Sequence, residues 1–475
     1  MSLSTISYLV FLMLCLALHW ALPGRFRNFF LLLSSVAFFA YAMPLQAVIM
    51  MVFCLVIYAL GFAVAGKSEK KSPIPLTLGV GLAVGFLFVY KYLGPVTTAL
   101  GGTAFSLVVP MGISYVAFQC IAYLVQIYKG NLQPEKSPVN FMVYALFFPK
   151  LTAGPIEDPA TFLSQLKRKR RFTYTNAQKA VVKITVGFVK KVAVADLLAP
   201  GVAAVFDSGT DMSGWAVVLA SLMYAVQILC DFSGYTDIAR GSAMLFGMEL
   251  TENFDSPYLA VSVRDFWRRW HISLSNWLKT YIFIPLGGSR VSTLRRYANI
   301  LIVFLVSGIW HGSSWSFVVW GALHGVYQIA EILLDPAGKK LRSRLGLQDN
   351  SAVCVWAARI RTFLLVTLAW VFFRAATVGT AFSLLGSLFT GWGSLKDALT
   401  LCGLDLTKVL LTVFALVCAN VLQRKALTVS GGRYTKEFSS ARLVFACAVA
   451  AWAVFLVYMV SAAAGGGSSF IYFDF

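Results

Sequence analysis

Long apolar stretches separated by short polar segments recur along the whole chain. A helix needs roughly 20 apolar residues to cross the hydrocarbon core of a bilayer, because each residue adds about 1.5 Å. This pattern predicts membrane-spanning helices at residues 8–22, 29–42, 47–65, 76–92, 107–128, 181–198, 215–232, 300–310, 315–333, 362–373, 410–421 and 444–460. By the same length criterion we expect about 11 to 13 membrane-embedded helices.

Two apolar stretches, at residues 141–155 and 281–288, are too short to cross and are predicted to be re-entrant or interfacial. No polar stretch is long enough to build a separate soluble domain. The prediction is therefore an all-α, polytopic membrane protein with a single domain over residues 1–475. The first apolar stretch lacks a preceding basic segment and a following cleavage site, which favours a spanning helix over a secretory signal.

The composition agrees with a membrane protein. Of the 475 residues, 59% are hydrophobic and 13% are charged, whereas a soluble domain carries about 25% charged residues. The eight cysteines are scattered, without a CxxC motif or a cysteine–histidine cluster. We therefore predict neither a disulfide framework nor a metal site.

The net charge of +20 suggests nucleic-acid binding at first sight. In a membrane protein, however, basic loops mark the cytoplasmic side. An N-terminus on the outer face puts nearly every basic cluster inside, including residues 67–71, 167–171 and 264–296. The loop at residues 200–213, which then lies outside, carries two acids and no base. Topology thus explains the charge, and no nucleic-acid partner is expected.

Residues 253–296 differ from the rest of the chain because they are rich in tryptophan, tyrosine and arginine. Apolar residues at helical spacing face basic ones. This pattern predicts a helix lying in the membrane interface, with its aromatic rings at headgroup level and its arginines toward water or anionic lipid.

His324 lies in the middle of the apolar stretch 315–333, beside Gly321 and Gly325. A polar ring at membrane depth is costly, so it indicates a functional site. An imidazole suits a general base that removes a hydroxyl proton, since its ordinary pKa of about 6.5 lies near working pH. The structural alternative is a histidine that only bonds across helices. The glycines would let another backbone, or a substrate, approach the ring.

Two other histidines belong to the same part of the chain. His311 stands between Trp310 and Gly312 at the end of the stretch 300–310, which fits an interfacial anchor with a capping glycine. His271 fits either the polar tip of an interfacial helix or the wall of a cavity for an anionic cofactor, with nearby arginines on its phosphates.

Further polar residues interrupt apolar sequence. Asp231 and Asp237 adjoin the stretch 215–232 and fit a cation site or, more simply, hydrogen bonds to the arginine-rich segment. Residues 148–156, bent by two prolines and a glycine, predict a re-entrant turn that lines something polar. The chain has no Walker A motif, G-x-S-x-G motif or dinucleotide-binding glycine motif, so nucleotide phosphoryl transfer and serine hydrolysis are unsupported.

Several motifs together resemble the membrane-bound O-acyltransferase (MBOAT) family, and within it the branch that acetylates bacterial polysaccharides of the alginate and cellulose type. The motifs are residues 267–275, 310–312 and 324–325, accompanied by 110–115, 153–156, 231–235, 252–254 and 370–375. The resemblance implies a helical membrane disc pierced by a tunnel. It places the catalytic core at about residues 105–375.

The resemblance also implies roles for individual residues. The catalytic histidine falls on His324, and His271, the second family histidine at the cytoplasmic entrance of the tunnel, is also expected to take part in catalysis. Basic side chains would bind the donor phosphates: Arg264, Arg268, Arg269, Lys279 and Lys150, the last where alginate-type relatives often carry histidine. The expected tunnel lining is Trp310, His311, Trp320, Trp270 and Ser273, and the indole of Trp310 or Trp320 is a candidate oxyanion donor.

The predicted activity is transfer of an acetyl group from cytosolic acetyl-CoA, without a metal, to a hydroxyl on the periplasmic side of a bacterial inner membrane. The acceptor is a periplasmic protein, such as an SGNH-type acetyltransferase, or the polysaccharide itself. Other expected partners are an exopolysaccharide synthesis and secretion complex and membrane lipids. Two alternatives without chemistry are a transporter or flippase and a scaffold of a secretion complex.

Overall fold

A computed structural model of the chain describes residues 3–66, 72–103, 107–208 and 212–428. Over these residues the fold is all-helical, as predicted, without strands. Among the described residues, contacts divide the chain into two compact units: the first has its residues within 3–193, 231–251 and 414–428, and the second within 194–230 and 252–413. The single domain over residues 1–475 stays a prediction, and the predicted helix at 444–460 lies outside the described residues.

The helices of the first unit, in the described part of the chain, are α1 (Ile6–Ala21), α2 (Arg27–Ala42), α3 (Pro44–Ala65), α4 (Ile74–Lys91), α5 (Leu93–Ala99), α6 (Ile113–Tyr128), α7 (Pro138–Leu146), α8 (Pro159–Lys167) and α9 (Tyr174–Phe188). Helix α11 (Gly214–Leu245) belongs to this unit from Asp231 onward. A π-helical segment, Val189–Ala195, follows α9.

The helices of the second unit, again among described residues, are α10 (Asp196–Phe206), α12 (Val263–Arg269), α13 (Ile272–Leu278), α14 (Thr293–His311), α15 (Trp315–Arg344), α16 (Ala352–Arg374), α17 (Val378–Thr390) and α18 (Leu395–Leu401). Helix α19 (Leu406–Thr428) starts in this unit. Many helices begin where a serine, threonine or aspartate side chain accepts a backbone N–H, as Ser351 does before α16.

Five described helices are long and apolar enough to cross a membrane: α3, α4, α11, α15 and α16. A sixth candidate is the pair Leu395–Leu401 and Leu406–Asn420, bent by 64°. The predicted spans at residues 8–22 and 107–128 correspond to the shorter apolar helices α1 and α6. The protein is therefore a multi-pass membrane protein, whereas the number of about 11 to 13 embedded helices stays a prediction.

Ion pairs join α11 to α9 and the π-helical segment. Asp231 pairs with Lys191 at 2.7 Å, and both side chains are buried. Asp237 pairs with Lys190 at 2.7 Å and with Lys183 at 3.2 Å. The two acids thus bond to lysines of α9 and of the π-helical segment that follows it. Because each buried charge has an opposite charge beside it, a structural role is sufficient.

Two sequence motifs of the first unit meet at the start of α6. Gly112 has φ +74°, and a side chain on it would overlap the carbonyl of Leu151. Only glycine combines this backbone conformation with this approach. The turn that contains Leu151 is therefore held against α6, which is buried along most of its length.

Candidate active site

The hairpin of α14 and α15 fixes the position of His324. A Cβ atom on Gly321 would lie 3.1 Å from the carbonyl carbon of Phe304 and 3.3 Å from the Cα of Gly308. Farther along, a Cβ on Gly325 would lie 3.4 Å from the Cα of Leu301. These glycines therefore let two helix backbones approach closely. The sequence allowed either another backbone or a substrate to approach at these glycines, and the structure places the backbone of α14 at Gly321.

The imidazole of His324 is completely enclosed, with 0% of the residue exposed. Aromatic rings surround it with centroid distances of 5.1 to 6.3 Å: Phe266, Trp267, Phe304, Trp320, Tyr327 and Trp370. Such a site is nearly free of competing dipoles, so any charge that develops on the ring interacts strongly with the few polar groups present.

One hydrogen bond determines which nitrogen of the His324 ring carries the proton. Nε1 of Trp267 donates to Nδ1 of His324 at 3.2 Å. An indole N–H can only donate, so Nδ1 must accept, and in a neutral imidazole the proton then sits on Nε2. Nε2 is buried and has no hydrogen-bond partner among the described residues. A buried donor without a partner costs about 1–3 kcal/mol, which is a reason to look for a function.

The segment before α14 is not the single interfacial helix that the sequence predicted. It breaks at His271, whose backbone has φ 44° and ψ 54°, so α12 ends before this residue and α13 begins after it. Trp267, Trp270 and Trp277 are at most 7% exposed. The rings of these three tryptophans therefore pack into the protein.

Helix α12 is anchored at its N-terminus. The carboxylate of Glu331 on α15 accepts from the backbone N–H of Val263 at 2.9 Å and of Arg264 at 3.4 Å. The hydroxyl of Ser262 accepts from the N–H of Asp265 at 3.0 Å. The first N–H groups of a helix lack partners within the helix, and an anion there also favours the helix dipole. Two residues of α15, His324 and Glu331, thus hold α12 at two points.

The start of α13 is held by a motif that the sequence singled out. The backbone carbonyl of Asn253 accepts from the N–H of Ile272 at 3.1 Å, and its side-chain carbonyl accepts from the N–H of Ser273 at 3.0 Å. Ser273 is buried there. These bonds fix the turn at His271, and burial lowers the pKa of His271 to about 3.

Histidine and tryptophan rings alternate from His271 to His324. The centroid distances are 6.1 Å from His271 to Trp310, 4.8 Å from Trp310 to His311, 5.0 Å from His311 to Trp320 and 5.1 Å from Trp320 to His324. The structure thus brings these predicted site residues into one continuous row. His311 is 3% exposed, and Gly312 caps α14 as expected.

A cavity of about 480 Å³ lies beside two of the rings that enclose His324. Its polar lining includes Arg264, Arg268, Lys279, Arg296, Gln328, Ser275, Asn276 and Ser289. Trp267 and Phe304 also line it, and both rings contact His324. The imidazole itself is not part of the lining, so one layer of side chains separates it from the cavity.

Sequence reasoning missed several lining residues, among them Arg296 and Gln328. Arg296 lies at the start of α14, and its Nε is buried without a hydrogen-bond partner among the described residues. Gln328 lies one helical turn after His324 on α15. Gln328 could have been found in the sequence from its spacing of four residues from His324. Arg296 could not, because nothing in the local sequence distinguishes it from its neighbour Arg295.

The other predicted residues of this segment have different surroundings. Arg269 pairs with Asp265 at 3.1 Å and is not among the residues that line the cavity. Trp270 is 1% exposed and stacks on Phe266 at a centroid distance of 5.5 Å. It also contacts Trp370 at 5.0 Å. The side chains of Arg269 and Trp270 therefore contact residues around α12 and do not line the cavity.

Lys150 belongs to the first unit and is completely buried. Its Nζ donates to the side-chain oxygen of Gln119 and, at 2.6 Å, to the carbonyl of Tyr144. Burial lowers the pKa of Lys150 to about 7, although the carboxylate of Glu157 opposes this shift. Its Nζ also lies 4.9 Å from the ring centroid of Phe162, as expected for a cation–π contact.

Among the described residues, no group of three histidine, cysteine, aspartate or glutamate side chains is placed to hold a metal ion. The seven described cysteines are free, and most are buried.

The chain is similar to known proteins over most of its length. A family model described as membrane-bound O-acyltransferase matches residues 134–344. A probable alginate O-acetylase of Azotobacter vinelandii is 32% identical over 450 residues, covering 91% of this chain and 87% of that protein. A peptidoglycan O-acetyltransferase of Helicobacter pylori is 38% identical over 59% of this chain and 56% of its own length. A teichoic acid D-alanyltransferase of Bacillus subtilis is 26% identical over 49% and 61%, respectively.

Proposed function

Because the chain belongs to the membrane-bound O-acyltransferase family, we propose that it transfers an acetyl group from cytosolic acetyl-CoA to a hydroxyl on the periplasmic side of a bacterial inner membrane. The observation that carries this proposal is a basic cavity one side chain away from a buried imidazole. Arg264, Arg268, Lys279 and Arg296 line the cavity, and its inner wall contacts His324.

The cavity supports the donor side of the reaction. Coenzyme A carries several phosphate groups, and guanidinium and ammonium groups bind phosphate through charge-assisted hydrogen bonds. Four cationic side chains around about 480 Å³ provide such groups, and apolar residues such as Ile300 and Val303 complete the lining. In this proposal Arg264, Arg268, Lys279 and Arg296 contact the donor, and neither Arg269 nor Lys150 does.

His324 is the proposed catalytic residue. The acceptor hydroxyl oxygen forms a bond to the acetyl carbon, and the bond between that carbon and the thioester sulfur breaks. The imidazole takes the hydroxyl proton and returns a proton to the sulfur, which leaves as the free thiol. The indole N–H of Trp320, buried beside His324 and without a partner among the described residues, is a candidate donor to the oxyanion.

The proposed acceptor is a component of the cell envelope. The relatives are named for alginate, peptidoglycan and teichoic acid, all of which are envelope or extracellular polymers with hydroxyl groups. We propose a polysaccharide of this kind, reached directly or through an SGNH-type periplasmic acetyltransferase within a secretion complex. His271 and the row of rings between it and His324 would form the wall of the tunnel that serves these substrates.

The test uses purified protein in nanodiscs with radiolabelled acetyl-CoA and a polysaccharide acceptor. We expect release of coenzyme A and labelled acceptor, and His324→Gln should lower this rate roughly 10²–10⁴-fold, the usual contribution of acid–base catalysis. His19→Gln replaces another buried histidine, in the first unit, and serves as the matched control.

Full activity of a folded His324→Gln variant would show that another group is the base. The two alternative functions, a transporter or flippase and a scaffold of a secretion complex, predict a different result. A transporter or flippase would move a carrier across the nanodisc without consuming thioester, and a scaffold would do neither. No coenzyme A release with any polysaccharide or partner protein would favour them.

A further inference from the structure

Trp267 occupies a position between the cavity and the imidazole. It lines the cavity proposed for the donor, and its ring centroid lies 5.2 Å from that of His324 with an interplanar angle of 86°. Its Nε1 donates to Nδ1 of His324 at 3.2 Å. The same side chain therefore touches both the proposed donor site and the proposed catalytic group.

This contact decides what His324 can do before substrate arrives. A base needs a lone pair, and a neutral imidazole has only one, on the nitrogen that carries no proton. Here that nitrogen is Nδ1, and the indole N–H covers it. Nε2 carries the proton and faces no acceptor among the described residues. The resting ring is thus a hydrogen-bond donor and not a base.

We propose that Trp267 is a positioning residue that keeps His324 in the Nε2-protonated tautomer, with its lone pair covered, until the acceptor hydroxyl reaches the ring. The inference rests on the proposed function of His324. The proposal explains why the lone pair is covered. An exposed lone pair beside a thioester would activate water, and the thioester would be hydrolysed without transfer of the acetyl group to the acceptor. The indole must leave Nδ1 before the acceptor hydroxyl can give up its proton there.

Other contacts support a dedicated arrangement. Trp267 is carried by α12, a helix of seven residues, and this helix is held at its start by Glu331 on the same helix as His324. The spacing from His324 to Glu331 is seven residues, about two helical turns, so both side chains lie on one face of α15. The two helices that carry the donor and the acceptor of the hydrogen bond are therefore held together by a second contact.

Nitrogen NMR tests the proposal directly, because the chain has only four histidines. Histidine and tryptophan labelled with ¹⁵N are incorporated, the protein is placed in nanodiscs, and the His324 signals are assigned with His324→Gln. We expect a protonated Nε2, an unprotonated Nδ1 and a coupling across the hydrogen bond from Trp267 Nε1. A protonated Nδ1 in the wild-type protein would overturn the proposal, whatever the activity.

Two variants separate the hydrogen bond from ring packing. Trp267→Phe removes the N–H and keeps an aromatic ring, and we expect the Nδ1-protonated tautomer to appear. Trp320→Phe is the matched control, since Trp320 contacts His324 at 5.1 Å but its Nε1 has no partner among the described residues. It should leave the tautomer unchanged. An equal tautomer shift in both variants would show that packing, and not this bond, sets the protonation.

A kinetic readout adds a consequence for chemistry. At saturating acetyl-CoA without acceptor, Trp267→Phe should hydrolyse the thioester severalfold faster than the wild-type protein. Unchanged hydrolysis would contradict the covered-base proposal. Failure of the proposed function is distinguishable, because it appears as activity of His324→Gln or as no thioester turnover at all, while the tautomer measurement needs no turnover.

Discussion

At the scale of single residues, neighbours of the same type have different surroundings. Arg268 lines the cavity beside His324, whereas the adjacent Arg269 pairs with Asp265. Successive residues of a helix point roughly 100° apart, so a run of two arginines presents only one of them to a given cavity. The sequence predicted both as donor-binding residues because the direction of each side chain depends on where α12 is anchored.

The two arginines form a matched pair for testing the donor site. Arg268→Gln should raise the KM for acetyl-CoA about tenfold, since a charge-assisted hydrogen bond contributes about 1.5–3 kcal/mol. Arg269→Gln removes the same charge one residue later and should change the KM much less. Steady-state kinetics of coenzyme A release, at low and high salt, measures both. Equal increases in KM would mean that only net charge near the entrance matters.

At the scale of elements, the segment from α12 to α13 departs most from the sequence prediction. Its hydrophobic period is helical throughout, yet the helix breaks at His271. The spacing of hydrophobic residues shows which side chains share one face of a helix. It does not show that a residue with a left-handed backbone conformation interrupts the helix. The bonds that hold this break come from Asn253, 18 residues before it, and the anchor of α12 comes from Glu331. Such distant contacts are not readable from local spacing.

Removal of the Glu331 carboxylate should loosen α12. We expect Glu331→Ala to destabilise the start of this helix by about 1–2 kcal/mol, because two backbone N–H groups lose a charged acceptor. Hydrogen–deuterium exchange over residues 263–269 should then become faster. Asp335→Ala is the control, since it removes an exposed acid one turn later on α15, where Asp335 pairs with Lys339 at 2.9 Å. Similar exchange in both variants would refute a specific anchor.

At the scale of the whole molecule, the prediction of an all-α, multi-pass membrane protein is confirmed, and so is the family. The length of the apolar stretches and the uneven distribution of basic loops allow this prediction, because the bilayer imposes the same requirements on every helix that crosses it. Arg374 is a basic residue that this orientation does not place in an inner loop, and its guanidinium lies 2.9 Å from the carboxylate of Asp207. Asp207 lies in a loop predicted to be outside, which fits a paired arginine at that face.

The orientation of the chain in the membrane is testable in intact cells. We predict that the N-terminus and residues 94–103 lie on the periplasmic side and that residues 167–171 lie in the cytoplasm. Thr98→Cys should react with a membrane-impermeant maleimide in intact cells, whereas Arg168→Cys should react only after permeabilisation. Both positions are exposed, and the unsubstituted chain gives the background from its own cysteines. The reverse pattern would invert the topology.

The sequence pointed to the residues of the candidate site but not to their arrangement. His324 stood out as a candidate because a histidine in the middle of an apolar stretch is rare for energetic reasons. Its hydrogen bond to Trp267 was not predictable, because 57 residues separate the two and their contact depends on how α12 docks on α15. The row of rings from His271 to His324 likewise joins residues of three separate segments.

The left-handed backbone at His271 has a practical consequence for mutagenesis. Alanine in this conformation costs roughly 1–2 kcal/mol, and β-branched residues cost more, so a conventional alanine scan would report strain in the main chain along with loss of the ring. Asparagine tolerates the same dihedral angles. The substitution His271→Asn is therefore the one that removes the imidazole while preserving the bend between α12 and α13.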